Sequence, residues 1–261
     1  MAQAVGTVEL KPDTLAAFAQ HIGEAEAAME QTLHGNRSFL WSDSSAELTE
    51  QVHKGLTIAQ LWSDKRPIKV PDGLIHDWIG ATRIPGTTIK KTLALIQDYD
   101  NHKNIYKPQV IDSKLIRRKG DDFQIYLRLL KKKIITVILD TYHDVHYSSV
   151  DSTRWCCRSY TTRIAEVEDA GKPTETIGAP DSGYGFMWRL NSYWRFQERA
   201  GCVFVECRAI SLSRDVPRGL GWIIEPIIEK LPKESLVATL DATRRGLSAG
   251  ESGGIGSVGA G

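Results

Sequence analysis

Residues 14 to 34 place apolar side chains at Leu15, Phe18, Ile22, Ala25 and Met29, a 3-4-3-4 spacing that predicts a helix with one buried face. Asp13 caps its start and Gly35 its end. Ser44, with Glu47 three residues on, spells a capping box for a second short helix that stops at Gly55. The first 66 residues therefore read as a helical extension.

From Lys69 the pattern turns to stretches rich in Ile, Val, Tyr, Trp and Thr between short polar turns, which is the pattern of strands. The first strand spans 74 to 84. Pro85-Gly86 breaks it before Thr87 or Thr88 caps a helix carrying Ile89, Leu93, Ile96 and Tyr99. Hairpin-linked strands follow at 110–118, 123–130, 134–147 and 154–168, and again at 187–197 and 202–212. From Pro217 to Leu247 the chain reads as helical, with Pro226 kinking or dividing it, Pro232 in a first turn, and Leu236, Leu240, Thr243 and Leu247 on one stripe.

Residues 248–261 form a Gly/Ser tail. The hydrolase-like spelling at Gly250–Gly254 and the dinucleotide-like spelling at Gly254–Gly259 lack the flanking strand and helix that give either motif its meaning.

Composition changes the picture only by exclusion. With 33 Lys and Arg against 32 Asp and Glu, and 41% hydrophobic residues, the chain has the balance of a folded domain and no basic excess for nucleic acid. No window is apolar enough to span a bilayer. Ala2-Gln3-Ala4 leaves two expectations for location: cytoplasmic as written, or exported if a signal peptide precedes Ala4. Cys156 and Cys157 point to opposite faces of a strand, and Cys202 and Cys207 stand about 17 Å apart along another, so four free thiols are expected.

Five segments carry a family resemblance: Gly73-Leu-Ile-His-Asp-Trp-Ile-Gly80, Ile84-Pro-Gly86, Leu95-Ile-Gln-Asp-Tyr-Asp100, Leu190-Asn-Ser-Tyr-Trp-Arg195 and Val205-Glu-Cys-Arg-Ala-Ile-Ser-Leu-Ser-Arg-Asp215. Together they resemble bacterial members of the START-like superfamily, also called SRPBCC, which includes lipid-transfer domains and polyketide cyclase/dehydratases. The resemblance covers roughly residues 68 to 247. It implies an α+β helix-grip fold, a curved antiparallel sheet wrapped around a long C-terminal helix, with residues 1–66 as an extension, 67–247 as the START-like domain and 248–261 as a tail. It also implies a hydrophobic cavity, and it transfers no catalytic residue, because the superfamily has no shared catalytic set.

Alternation sorts the last two strands into faces. Trp188, Leu190, Trp194 and Phe196 share one, with Val203, Val205, Cys207 and Ala209 opposite; large aromatic against small residues leaves room for a ligand or else interdigitates into a solid core. Arg189, Asn191, Tyr193 and Arg195 share the other with Glu206 and Arg208. These form either a solvent-side charge ladder or, with Arg158 and Arg163, inward anchors for a polar head.

The expected ligand-binding set is Trp188, Leu190, Asn191, Trp194, Arg195, Phe196, Val205, Cys207, Trp222, Ile223, Ile227, Leu236 and Leu240, with Asn191 or Arg195 as polar anchor. His143 and His146 face opposite sides of one strand, which argues against a shared metal, while Asp140, Asp144 and His146 share a face explained by exposed strand polarity. Neither metal nor cofactor is expected. The basic turns Arg117-Arg118-Lys119 and Lys131-Lys132-Lys133 read as solubilising hairpin tips, with contact to anionic lipid head groups at a cavity mouth as the alternative.

The leading expectation is a non-catalytic binder of a small hydrophobic or amphipathic molecule such as a lipid. One alternative is a cyclase/dehydratase-like enzyme using His76, Tyr142, Tyr193 or Glu206 as acid or base. Another is an interaction module with a filled core.

Overall fold

Long antiparallel strands between residues 73 and 214 dominate the architecture, and their register decides which side chains meet. A computed structural model describes residues 6–34, 38–63, 67–132, 136–215 and 221–249, excepting the side chains of His34, 221–229 and Ala249. In chain order the elements are β1 (Val8–Glu9), α1 (Pro12–His34), α2 (Ala46–His53), β2 (Ile58–Leu61), β3 (Ile68–Val70), β4 (Gly73–Pro85), α3 (Ile89–Ile96), α4 (His102–Ile105), β5 (Val110–Lys119), β6 (Asp122–Lys132), β7 (Thr136–Ser149), β8 (Arg154–Glu168), β9 (Thr176–Ile177), β10 (Ser182–Gly183), β11 (Arg189–Arg199), β12 (Cys202–Arg214) and α5 (Gly221–Ala249).

The main sheet runs in the order β2-β4-β12-β11-β8-β7-β6-β5, with β3 pairing β4 and β9 pairing β8. Every pairing is antiparallel, including that of β1 with β10 in a separate two-stranded ribbon.

One face packs on the C-terminal helix. Trp78, Phe123, Ile125, Val145, Tyr147, Cys157, Phe196, Val203, Val205 and Cys207 form a single cluster with Leu236 and Leu240 of α5 and Leu93 and Ile96 of α3. This is the helix-grip arrangement. Gly80 sets the approach of the helix, since a Cβ there would stand 2.8 Å from the Ile58 carbonyl oxygen and 2.9 Å from Leu240 Cδ1. The other face is covered too: Phe18 and Ala25 of α1 pack on Ile75, Tyr193, Ile210 and Leu212, and Phe39, Leu40 and Val52 pack on Ala81, Cys156 and Phe204.

Several sequence expectations need correction. The stretch before residue 67 is not all helix, because Ile58–Leu61 adds an edge strand to β4 and Val8–Glu9 pairs with β10. The cap of α2 is Ser45, whose hydroxyl accepts from the Leu48 N–H; Ser44 instead closes a 3₁₀ turn over Trp41–Asp43. A single helix, α5, runs through both Pro226 and Pro232. Extensive packing of its later half outweighs an interior-proline cost of about 3 kcal/mol each. Lys131 is not at a hairpin tip: it donates to Ser235 Oγ of α5 at 3.1 Å, because odd-numbered β6 residues face the helix. Met1–Ala4, Gly35, Lys133, Pro217 and the tail from Gly250 lie outside the described residues.

Candidate ligand-binding site

Charge on the central strands collects on the face covered by the N-terminal segment. Arg208 donates to both oxygens of Asp77 at 2.9 and 2.6 Å, and His21 of α1 adds a third hydrogen bond at 2.8 Å. Burial pushes the Asp77 carboxyl up, but these hydrogen bonds outweigh it and hold the group below its ordinary value. Arg195 donates to the Phe39 carbonyl at 2.5 Å, the Met29 carbonyl at 3.0 Å and Thr32 Oγ1 at 2.5 Å. Glu206 accepts from the Trp41 and Ser42 N–H groups at 2.8 and 2.7 Å, while burial pushes its carboxyl up. Tyr160 and Tyr193 both donate to Glu26 of α1, Arg158 pairs with Glu30, and Arg199 pairs with Asp43.

This polar layer is neither a solvent-side ladder nor a set of inward anchors. It is a largely buried seam between sheet and N-terminal segment in which each charged side chain finds a partner, although Arg208 Nη1 has no hydrogen bond among the described residues.

The helix-covered face is chemically different. Register puts Ser192 opposite Ser159, and Ser159 opposite the core residue Val145; Trp194 lies opposite Cys157, and Thr161 opposite His143. His143 is buried, and desolvation lowers its pKa to about 4, so the ring is neutral. The Thr141 hydroxyl donates to the Leu127 carbonyl at 3.0 Å, so its oxygen accepts from His143 Nε2, also at 3.0 Å. That leaves His143 Nδ1 as an acceptor for the Ser159 hydroxyl at 3.4 Å. Trp194 Nε1 donates to Ser192 Oγ at 3.2 Å, and the Leu190 N–H donates to Thr161 Oγ1 at 3.0 Å.

Ser159, Thr161, Leu190, Ser192 and Trp194 all keep partial exposure in the middle of this face, whereas Cys157 and Phe196, farther along the same strands, are buried. An accessible strip thus adjoins a close-packed core. A second buried imidazole on the same face, His76, contacts Ser213 Oγ at 3.0 Å, has no partner on Nδ1 among the described residues, and is lowered to about 4 by burial.

The sequence-expected set divides accordingly. Trp194, Phe196, Val205, Cys207, Leu236 and Leu240 meet in one cluster on the helix-covered face, and Leu190 packs nearby with Met187, Leu139, Ile164 and Ala242. Trp188 does not join them: it stands one residue before β11, where strand alternation does not bind it, and packs in the cluster formed with α1. Asn191 and Arg195 are likewise on the opposite face, in register with Ile210 and Glu206. Trp222, Ile223 and Ile227 belong to α5, and their side chains lie outside the described residues.

Among the acid–base candidates, Tyr193 and Glu206 are committed to the N-terminal segment. Tyr142 lies under Arg163 on that same side of the sheet, so His76 alone faces the helix. No cluster of three metal-ligating side chains occurs among the described residues, and all four cysteines are free and buried.

Thr141, Ser159, Thr161 and Ser192 are not among the sequence-expected site residues, and His143 is considered there only as a metal ligand and set aside. The available signal was small hydroxyl residues at positions sharing parity with Cys157 and Trp194.

No protein-family model and no curated protein matches the chain. Solved structures similar to it include a STAR-related lipid transfer protein from Xanthomonas axonopodis, 15% identical over 73% of this chain and 98% of that one, with a TM-score of 0.49. The protein TTHA0849 from Thermus thermophilus is 13% identical over 66% of this chain and 97% of its own, with a TM-score of 0.48. The Zhui aromatase/cyclase from Streptomyces is 11% identical over 69% and 99%, at 0.44. The fold is a helix grip, an antiparallel sheet packed on a long C-terminal helix. That statement stands on the strand order, the antiparallel register and the seat of α5 in this chain. At such identities the neighbours' ligands and reactions are not carried over.

No helix among the described residues is long and apolar enough to cross a membrane.

Proposed function

We propose that this START-like protein binds a small hydrophobic or amphipathic molecule, without changing it, between the helix-covered face of the sheet and α5. The observation that carries the reading is the accessible strip of Leu190, Ser192, Trp194, Ser159 and Thr161. On a face packed against helices, such residues stay accessible only where packing leaves space. An apolar wall with a few convergent polar groups is the ordinary make-up of a small-molecule site. The buried charged side chains Asp77, Glu206 and Arg208 face the other way, so recognition is by shape and apolar burial, as a carrier or sequestering protein requires.

Native mass spectrometry of protein purified from its own host, followed by organic extraction, tests this directly. A stoichiometric apolar species is expected. Absence of any such species, together with no saturable binding of apolar fluorescent probes, would sink the reading in favour of a filled interaction module.

A further inference from the structure

We infer that the polar end of the ligand is an uncharged hydroxyl group, held between Ser159 and Ser192; this rests on the binding reading above. Hydrogen-bond accounting assigns it. The chain from the Leu127 carbonyl through Thr141 to His143 fixes the imidazole with its proton on Nε2, so the Ser159 hydroxyl proton points to Nδ1. The Ser159 oxygen therefore faces its surroundings as an acceptor to which nothing among the described residues donates. Ser192 is the complement. Its oxygen already accepts from Trp194 Nε1, and its own proton has no acceptor among the described residues.

The two serines are direct cross-strand partners, so one acceptor and one donor stand side by side on an accessible part of the same face. An alcohol matches that pair in full, donating to Ser159 and accepting from Ser192. An ether or ester satisfies only Ser192. A carboxylate would set its charge against the Ser159 lone pairs in an apolar setting.

Local charge agrees. On the helix-covered face of β6, β7 and β8, Lys131 is committed to Ser235 and its pKa is lowered to about 8 by burial, while Glu166 accepts from the Tyr184, Gly185 and Phe186 N–H groups. Arg158, Arg163, Asp140 and Asp144 point to the opposite face. His143 is neutral at physiological pH and adds no charge.

The test compares 1-decanol, decyl methyl ether and decanoate as competitors of an apolar fluorescent probe bound to the full chain. The alcohol should bind about tenfold tighter than the ether, the worth of one well-placed hydrogen bond. Ser159→Ala should remove that preference and leave ether affinity within about twofold, since the ether never used the Ser159 acceptor. Ser192→Ala should weaken both ligands, and circular dichroism would establish that both variants fold.

Equal binding of alcohol and ether by the unaltered protein would overturn the assignment. So would tightest binding of decanoate, abolished by Lys131→Met, which would place an anionic head at the lysine. If the probe itself does not bind saturably, the binding reading fails and takes this inference with it.

Discussion

The two faces of the central sheet are built from the same four strands and do opposite things with polar groups. On the face toward the N-terminal segment, Asp77, Glu206 and Arg208 are buried and Arg195 is half-buried, and each is engaged by charge or by backbone N–H and C=O groups. On the face toward α5 the polar groups beside Ser159 and Ser192 are neutral, and nothing among the described residues donates to the Ser159 oxygen or accepts the Ser192 proton. Buried charge engaged in this way acts as fastening. Neutral hydrogen-bonding capacity left open beside apolar walls is where a ligand has something to gain.

The largest expected effect breaks the fastened face. Asp77→Ala leaves Arg208 buried without its carboxylate and should cost about 3–5 kcal/mol in urea unfolding, with the alcohol-over-ether preference of the folded fraction unchanged. Loss of that preference at unchanged stability would show the two faces to be one unit.

Next comes pH. The His143 imidazole is lowered from 6.5 to about 4 by burial, so the stability tied to its neutral form is complete above the unfolded-state value of 6.5 and is lost as pH falls through about 4. The difference corresponds to about 3 kcal/mol. Comparing urea midpoints of the unaltered protein and His143→Asn from pH 7 to pH 4 should show the variant losing less. Parallel curves would mean the imidazole is not buried neutral.

A smaller effect is expected at the helix seat. Gly80→Ala forces a methyl against the Ile58 carbonyl and Leu240, and should cost about 1–3 kcal/mol through displacement of β2 or α5, read as a lower melting temperature. The smallest stability effect belongs to Ser192→Ala, which should move unfolding by less than about 1 kcal/mol while weakening alcohol binding. A large destabilisation there would mark Ser192 as a structural residue.

Much of the sheet was legible because alternation is strict within a strand. It correctly separated Trp194, Phe196, Val205 and Cys207 from Tyr193, Arg195, Glu206 and Arg208, and the stripe of Leu236 and Leu240 marked the face of α5 that seals the core. Alternation fails at a strand's end, which is why Trp188 was placed on the wrong side. It also cannot tell whether a polar face meets water or another layer: the partners of Arg195 and Glu206 lie more than a hundred residues away, at Met29 to Ser42. The serines were hidden for a different reason. Ser and Thr are common on exposed strands, and only the pairing of β8 with β11 brings Ser159 and Ser192 together beside a buried imidazole.

Trp194 lies on the ligand face and Trp188 on the fastened face, which gives the central claim its most direct measurement: quenching of tryptophan fluorescence by a brominated long-chain alcohol. The account predicts saturable quenching that is largely lost in Trp194→Phe and retained in Trp188→Phe. Quenching that survives Trp194→Phe and disappears in Trp188→Phe would put the ligand against the N-terminal segment and contradict it.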